Sequence, residues 1–186
     1  MRAVLISIRP EWCEKIANGR KTLELRKSFP RQKTPFKCYI YMTSGNASYP
    51  AMKNGAPYIG HNNGGQVVIG EFLCDYILHG CHMANADIAE VQSCVRREDI
   101  FQYSNGKAVY GWHISDLKIY DKPKELSEFF YPCEKHKYPY CFDCEHGLQA
   151  GDKRTLDGMR YYDVSCGNWL KSPPQSWCYV EDGEGK

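Results

Sequence analysis

The first 28 residues constrain the fold more than any other stretch, because the hydrophobic period changes twice within them. Apolar residues alternate over residues 4–9, which predicts a short half-buried strand. Pro10 suits the first turn of a helix, and Asn18 with Gly19 supplies a residue that tolerates positive φ and ends it. The period then returns to two at Leu23. The segment therefore predicts a strand, a short helix and a second strand in close succession.

The second of these strands carries a polar face. Thr22, Glu24 and Arg26 point to the side opposite Leu23 and Leu25. A row of this kind is also what the solvent-facing side of an antiparallel sheet shows. The row alone therefore does not distinguish a functional site from ordinary surface.

The spacing of four residues adds a family resemblance. Gly19, Lys21, Glu24 and Arg26 follow G-x-K-x-x-E-x-R, which resembles the motif that opens ASCH domains of the PUA-like superfamily. Three later segments are similar to the same family: residues 65–78, 110–126 and 173–181. The resemblance implies an α+β fold built as a PUA-like mixed β-barrel with short flanking helices. It also implies a cleft beside the first helix and an association with RNA or modified nucleosides.

The length of the chain fits one domain, which we expect to span residues 1–186. Within it, residues 131–167 form a Cys/His-rich insertion near the C-terminus, and residues 182–186 form a polar tail. Further strands are predicted over 36–43, 66–78, 107–120 and 176–181, with helices over 84–95 and 96–103. Gly70, inside one of these strands, indicates a bulge or a close backbone approach.

The family topology brings eight candidate ligand-binding residues to the cleft: Arg9, Trp12, Lys21, Glu24, Arg26, Trp112, Gln175 and Trp177. We expect Lys21 and Arg26 to take phosphate, and one of the three Trp side chains to stack a base. Glu24 would accept a hydrogen bond from a base edge or orient Arg26. On this interpretation the protein binds RNA or a nucleotide.

Two other functions stay open. One branch of the family resembles amidohydrolases that deacylate acetylated cytidine with a Lys and, three residues later, a Thr; Lys21 matches, but Glu24 replaces the Thr. Glu24 would then be a general base on water with Lys21 as electrophile or acid, and a ribonuclease would use the same catalytic pair with Arg26 stabilising the charge on phosphorus. Alternatively, the three residues form a structural ion-pair network and the protein acts through a protein partner.

Positive charge is concentrated in one stretch, although the net charge is only +2. Residues 20–37 hold seven Lys and Arg side chains and a single acid, Glu24. Such a stretch attracts a phosphate backbone, but it is also typical of a solvated surface. The 14 Tyr, 7 Phe and 4 Trp supply rings that either stack bases or fill a small core.

The sequence predicts a cytoplasmic protein with no membrane partner. No apolar run approaches the roughly 18 residues of a membrane span, and the N-terminus enters a strand pattern without a signal-peptide core. Ten cysteines in that compartment are expected as thiols or metal ligands rather than disulfides. Four of them lie in apolar patterns and are expected to be buried: Cys13, Cys38, Cys74 and Cys94.

Two close pairs in the insertion have the spacing of zinc-knuckle ligands: Cys133 with His136, and Cys141 with Cys144. The short gap between the pairs leaves His146 or Cys166 as alternatives to His136 for the fourth ligand. The insertion is poor in aliphatic residues, so a structural zinc ion would stabilise it where apolar burial does not. Free thiols, or a redox dithiol made by the two closest cysteines, are the other interpretations.

The zinc hypothesis predicts about one zinc ion per chain, bound in a closed tetrahedral site. Inductively coupled plasma mass spectrometry on protein purified under reducing conditions measures it directly. Cys141→Ser should lose the metal, whereas Cys166→Ser and His146→Gln separate the alternatives for the fourth ligand. Protein that carries no metal contradicts the hypothesis and favours free thiols.

Overall fold

A computed structural model of the 186-residue chain describes residues 2–44, 49–53, 56–60, 66–132, 152–154, 160–162 and 168–182. The predicted zinc ligands lie outside these ranges: Cys133, His136, Cys141 and Cys144. The same holds for the alternatives His146 and Cys166 and for the polar tail after Asp182. No helix in the described part of the chain is long and apolar enough to cross a membrane.

The described ranges contain twelve strands, three α-helices and one 3₁₀ turn. The strands are β1 (Arg2–Ile8), β2 (Leu23–Arg26), β3 (Phe36–Met42), β4 (Tyr49–Lys53), β5 (Ala56–Gly60), β6 (Val67–Cys74), β7 (Ile77–Leu78), β8 (Tyr110–His113), β9 (Ser115–Lys124), β10 (Asp152–Arg154), β11 (Arg160–Tyr162) and β12 (Trp177–Glu181). The helices are α1 (Pro10–Ala17), α2 (Ala86–Ser93) and α3 (Arg97–Ser104), and the 3₁₀ turn is Leu126–Glu128.

Two sheets and two separate hairpins organise these strands. The larger sheet has the order β12-β1-β3-β6-β9, with β1 and β3 parallel and the other neighbours antiparallel. The smaller sheet is antiparallel in the order β2-β8-β7, and the hairpins are β4-β5 and β10-β11. The α+β class is as predicted. The barrel is not: within the described ranges, β12 and β9 remain the unjoined edges of an open sheet.

Two predicted strands are each divided between the two sheets. The stretch predicted over 66–78 breaks after Cys74 into β6 and β7, and the stretch over 107–120 breaks at Ile114 into β8 and β9. The predicted close approach at Gly70 is observed: a Cβ there would lie 2.4 Å from the carbonyl oxygen of Lys118 on the paired strand. Alternation predicted strand correctly in both stretches. It continues across Cys74 without a break, whereas after Ile114 the apolar positions shift to Leu117 and Ile119.

β1 is buried on both faces, and not on one face as predicted. Val4, Ile6 and Ile8 pack in a cluster that includes the inner side of α1. Ala3 and Leu5, on the opposite face, belong to a second cluster. β12 and β3 pair with the two edges of β1, and the two clusters cover its two faces.

The turn after α1 directs the chain into β2. As predicted, α1 starts at Pro10; it ends with Asn18 as its C-cap, and Gly19 follows at a φ of 73°. The backbone N–H of Lys21 then donates to the carbonyl oxygen of Lys15 at 3.0 Å. This tight connection places residue 21 next to the helix it has just left.

α2 and α3 form a layer against the smaller sheet, where Ala89 and Ile100 pack with Leu23 and Leu25. α2 is shorter than the predicted range 84–95, whereas α3 has the predicted length and begins one residue later than predicted. α2 ends because Cys94 takes a left-handed conformation with a φ of 57°. At that position Cys94 is only partly buried, which corrects its predicted burial.

The described cysteines are free thiols, and the predictions for Cys13, Cys38 and Cys74 as buried residues are confirmed. Burial raises the pKa of the Cys74 thiol to about 12 and that of Cys81 to about 11. For Cys13 and Cys38, burial raises the thiol pKa well above its usual value. These four thiols therefore stay protonated at neutral pH.

Native protein treated with iodoacetamide near pH 8 should be alkylated at Cys94 well before Cys13, Cys38, Cys74 and Cys81. The thiolate is the reactive species, and burial withholds both the charge and the reagent from those four residues. Peptide mapping by mass spectrometry gives the order, with urea-unfolded protein as the control in which every described cysteine reacts. Equal native rates at Cys94 and Cys74 would contradict the burial described above.

Candidate functional site

A cleft of about 530 Å³ opens where the end of β1, α1, β2, α3 and the segment before β12 meet. Its volume lies within the range of about 300–1,000 Å³ that is usual for small-molecule sites. Six of the eight predicted ligand residues line it: Arg9, Trp12, Lys21, Glu24, Arg26 and Gln175. The spacing of the motif and the predicted order of elements thus converge on one place.

The structure places the other two predicted residues outside the cleft. Trp112 is fully buried, and its Nε1 donates to the carbonyl oxygen of Ser28 at 3.2 Å. Trp177 lies beside it with ring centroids 5.8 Å apart, and its Nε1 donates to the Oγ of Ser28 at 3.1 Å. Both indoles pack in or against the core and hold the chain after β2, so neither forms a wall of the cleft.

Lys21 is 2% exposed and lies at the junction of three elements. Its Nζ donates to the carbonyl oxygens of Leu23 and Ser93, each at 2.9 Å. The ammonium also lies 3.2 Å from Glu24 Oε2 and 5.0 Å from the centre of the Trp12 ring. An ammonium has three N–H donors, so these partners leave little donor capacity for a phosphate.

Glu24 is 3% exposed and lies between two cations. Its Oε1 accepts a hydrogen bond from Arg26 Nη1, whereas Oε2 is buried without a hydrogen-bond donor among the described residues. The 3.2 Å approach of Lys21 to Oε2 is therefore an ion pair without hydrogen-bond alignment, since the ammonium directs its protons to two carbonyls. Of the two roles that the binding interpretation predicts for Glu24, the contact with Arg26 matches that of orienting Arg26.

Arg26 joins β2 to β1. Its Nη1 also donates to the carbonyl oxygen of Leu25 at 2.9 Å, and its Nη2 donates to that of Ser7. The side chain is only 12% exposed. Lys21, Glu24 and Arg26, here called the buried cluster, therefore form the ion-pair network that the structural interpretation predicts.

The unpaired positive charge of the cleft belongs to Arg9. Its side chain is exposed and makes no ion pair with any carboxylate in the described ranges. The second acid of the cleft, Asp99, is held by Arg96, whose Nε and Nη2 donate to it at 2.9 and 3.1 Å. With Asp99 already neutralised, the cleft presents positive charge to a ligand.

α3 supplies a cleft residue that sequence reasoning missed, Tyr103. Burial raises the pKa of its hydroxyl, and the nearby Arg26 charge opposes that shift. Ile100 and Tyr103, three residues apart, share the inner face of α3, whereas Phe101 is 67% exposed. This spacing was visible in the sequence, but the surface against which α3 packs was not.

Ser7, Thr43 and Ser176 are further cleft residues without a sequence signal. The backbone N–H of Ser7 donates to the carbonyl oxygen of Ser176 at 2.9 Å, and its Oγ donates to that of Pro174 at 2.6 Å. These bonds hold the segment before β12 along β1 and bring Gln175 to the cleft. Within the described ranges no group of three or more His, Cys, Asp or Glu is arranged to hold a metal ion.

Comparison with known structures identifies the architecture. The ASCH protein from Zymomonas mobilis matches with a TM-score of 0.51 at 19% identity, covering 67% of this chain and 73% of that chain. A single-residue variant of the same protein matches with a TM-score of 0.51, also at 19% identity, over 67% of this chain and 74% of that chain. No family model and no curated protein matches the sequence. The predicted resemblance to ASCH domains is thus confirmed as a likeness of fold.

Lys21→Ala should destabilise the protein strongly, because it removes one of the two cations that pair with Glu24 and the donor of two buried carbonyls. Removing one partner of a buried ion pair costs about 3–5 kcal/mol, which lowers the melting temperature of a domain of this size by roughly 10 °C. Lys15→Ala is the matched control, since Lys15 Nζ also lies over the Trp12 ring, at 4.4 Å, but joins no buried ion pair in the described ranges. Differential scanning calorimetry should show a small change for Lys15→Ala. Equal melting temperatures for the two variants would contradict the role given to Lys21.

Proposed function

We propose that the cleft binds a nucleotide, either free or as part of an RNA strand, with a phosphate at Arg9 and a base against Trp12. The observation that carries this proposal is the presence of an exposed, unpaired guanidinium and a partly exposed indole in one cleft of about 530 Å³. The likeness of fold to an ASCH protein supports the same class of ligand.

Arg9 is suited to phosphate for a geometric reason. Its planar guanidinium offers paired N–H donors that match two phosphate oxygens. Lys21 and Arg26 were expected to bind phosphate, but they donate their hydrogen bonds to oxygens of the protein itself. Arg9 therefore takes the role of phosphate ligand in this proposal. The buried cluster then contributes a positive field beneath the ligand and does not bind it directly.

Trp12 offers the base an aromatic surface. Lys15 lies over the ring at 4.4 Å and is partly exposed, so a base can take its place without breaking a buried contact. Lys21, at 5.0 Å, is fixed by its two carbonyl partners and stays. Gln175 is exposed at the edge of the same cleft, where its amide can pair with a base edge or a sugar hydroxyl.

Hydrolysis of a modified nucleoside or of RNA is the second candidate, and one observation favours it. Glu24 Oε2 lies 3.2 Å from the Lys21 ammonium and has no hydrogen-bond donor in the described ranges, as a base awaiting a water molecule would. That oxygen is buried, however, and Lys21 already serves two carbonyls. Turnover therefore requires the buried cluster to rearrange, whereas binding at Arg9 and Trp12 does not.

Arg9→Ala should weaken the binding of nucleoside monophosphates and short RNAs about tenfold, since it removes a charge-assisted hydrogen bond to phosphate. The melting temperature should not change, because the side chain is exposed. Isothermal titration calorimetry with AMP, CMP, GMP, UMP and a mixed RNA hexamer measures the effect. Arg2→Ala is the matched control: it removes the same charge from an exposed residue at the other end of β1.

The same mixtures, supplemented with acylated cytidine and analysed by mass spectrometry, separate binding from turnover. Binding without product supports the proposal. Product that disappears in Glu24→Gln would replace it with the hydrolase. Equal affinities for Arg9→Ala and Arg2→Ala, or no binding at all, would reject the phosphate site at Arg9 and favour a function through a protein partner.

A further inference from the structure

The cleft continues past its α3 wall onto a cation and an aromatic ring. Tyr103 lines the cleft but remains 41% exposed. The Nζ of Lys27 lies 4.8 Å from the centre of its ring. Arg26 belongs to the buried cluster, whereas the next residue, Lys27, is exposed. The positively charged stretch of residues 20–37 therefore reaches the surface between Arg26 and Lys27, beside Tyr103.

Beyond Tyr103 the exposed cations continue along residues 27–33, here called the basic loop. Lys27, Arg31 and Lys33 are exposed and make no ion pair with carboxylates in the described ranges. A loop whose charges have no acidic partners among the residues that the structure describes offers them to an external anion.

The core holds the basic loop in place. Ser28 accepts hydrogen bonds from the Nε1 atoms of both Trp112 and Trp177, and the backbone N–H of Arg31 donates to the hydroxyl of Tyr179 at 2.9 Å. The indoles predicted to stack bases thus serve to fix this loop. Because its backbone is fixed at two points, its cations are presented beside the cleft at little further entropic cost.

We propose that the ligand is a single-stranded polynucleotide, with one nucleotide in the cleft, the next base on Tyr103, the linking phosphate at Lys27, and the strand continuing along the basic loop. This inference rests on the proposed function and specifies its substrate class. A free nucleotide fills the cleft but uses neither Tyr103 with Lys27 nor the basic loop. An aromatic ring paired with a row of cations is the arrangement by which proteins follow a single strand.

A length series separates the two kinds of ligand. AMP, the dinucleotide ApA and the hexamers A6 and (dA)6 are titrated into the full chain by calorimetry. The three oligonucleotides carry a 5′-phosphate as AMP does, so that each supplies one phosphate for Arg9 besides those that link its nucleotides. Stacking of a second base is expected to make ApA bind about tenfold tighter than AMP, with a further gain for the hexamers. Comparison of A6 with (dA)6 shows whether RNA or DNA supplies the strand. Equal affinities for AMP, ApA and the hexamers would overturn the proposal while leaving the nucleotide site at Arg9 intact; no binding of any of them would overturn both.

Variants of α3 test the second base. In Tyr103→Leu the ratio of the AMP and ApA dissociation constants should fall from about ten to near one, and Tyr103→Phe should restore it, because stacking needs the ring and not the hydroxyl. Phe101→Leu is the matched control on the same helix, since Phe101 is exposed and does not line the cleft. A ratio that Tyr103→Leu leaves unchanged, or a loss of equal size for AMP and ApA, would overturn the placement of the second base.

The salt dependence tests the phosphate at Lys27. Each phosphate neutralised on a single strand contributes about 0.7 to the slope of log affinity against log salt concentration. Lys27→Ala should lower the slope for A6 by about that amount, whereas Lys118→Ala, which removes an exposed cation from β9, should not. Equal slopes for the two variants would overturn the contact at Lys27.

Discussion

The Lys21 ammonium is the interaction on which the arrangement of the site depends. An isolated charge in a protein interior is costly, and this one is compensated by one carboxylate and two backbone carbonyls. One carbonyl belongs to β2 and the other, from Ser93, to the last residue of α2. α1 touches the same ammonium through Trp12. One side chain therefore fixes the mutual positions of α1, β2 and the α2–α3 layer.

That compensation changes which residues are available to a ligand. A lysine and an arginine in a basic motif are expected to bind phosphate, yet burial commits their donors to backbone and carboxylate oxygens. Among the described cleft residues the cation without an ion pair is Arg9, the exposed N-cap residue between β1 and α1. The motif residues build the cleft, and the residues at its edge are left to recognise the ligand.

Local patterns predicted the elements well. The start of α1 at Pro10 and its end before Gly19 follow from proline and glycine chemistry, and the alternation in β2 and β3 marks strands that are observed. The cleft position of Lys21, Glu24 and Arg26 followed from the family resemblance. Their burial did not, because a row of charges on a strand reads the same whether it faces water or pairs internally.

The sequence did not predict which sheet each strand joins or which surfaces pack together, because these depend on residues far apart in the sequence. Ile114 and the break after Cys74 transfer the chain from one sheet to the other. Alternation of apolar residues continues across Cys74 and conceals the first transfer. After Ile114 it changes phase at Asp116, but a change of phase does not say which sheet the chain joins. For the same reason Trp112 was assigned to the cleft: its place on β8 was clear, but the side toward which that strand packs was not. Tyr103 was missed because the docking of α3 depends on Leu23 and Leu25, which lie far from it in sequence.

The direction of the side chains along β2 explains why an exposed cation, Lys27, lies next to the buried cluster. Successive side chains of a strand point to opposite sides, so Glu24 and Arg26 share the side that faces the cleft. Lys27 follows at the point where β2 ends and is turned outward, above the ring of Tyr103. Because Arg26 is bound to β1 and Ser28 is bound to two core indoles, Lys27 is held between two fixed residues. A buried, internally paired cluster and an exposed cation without an ion pair in the described ranges are thus neighbours in the sequence, and the rigidity of the first determines where the second is presented.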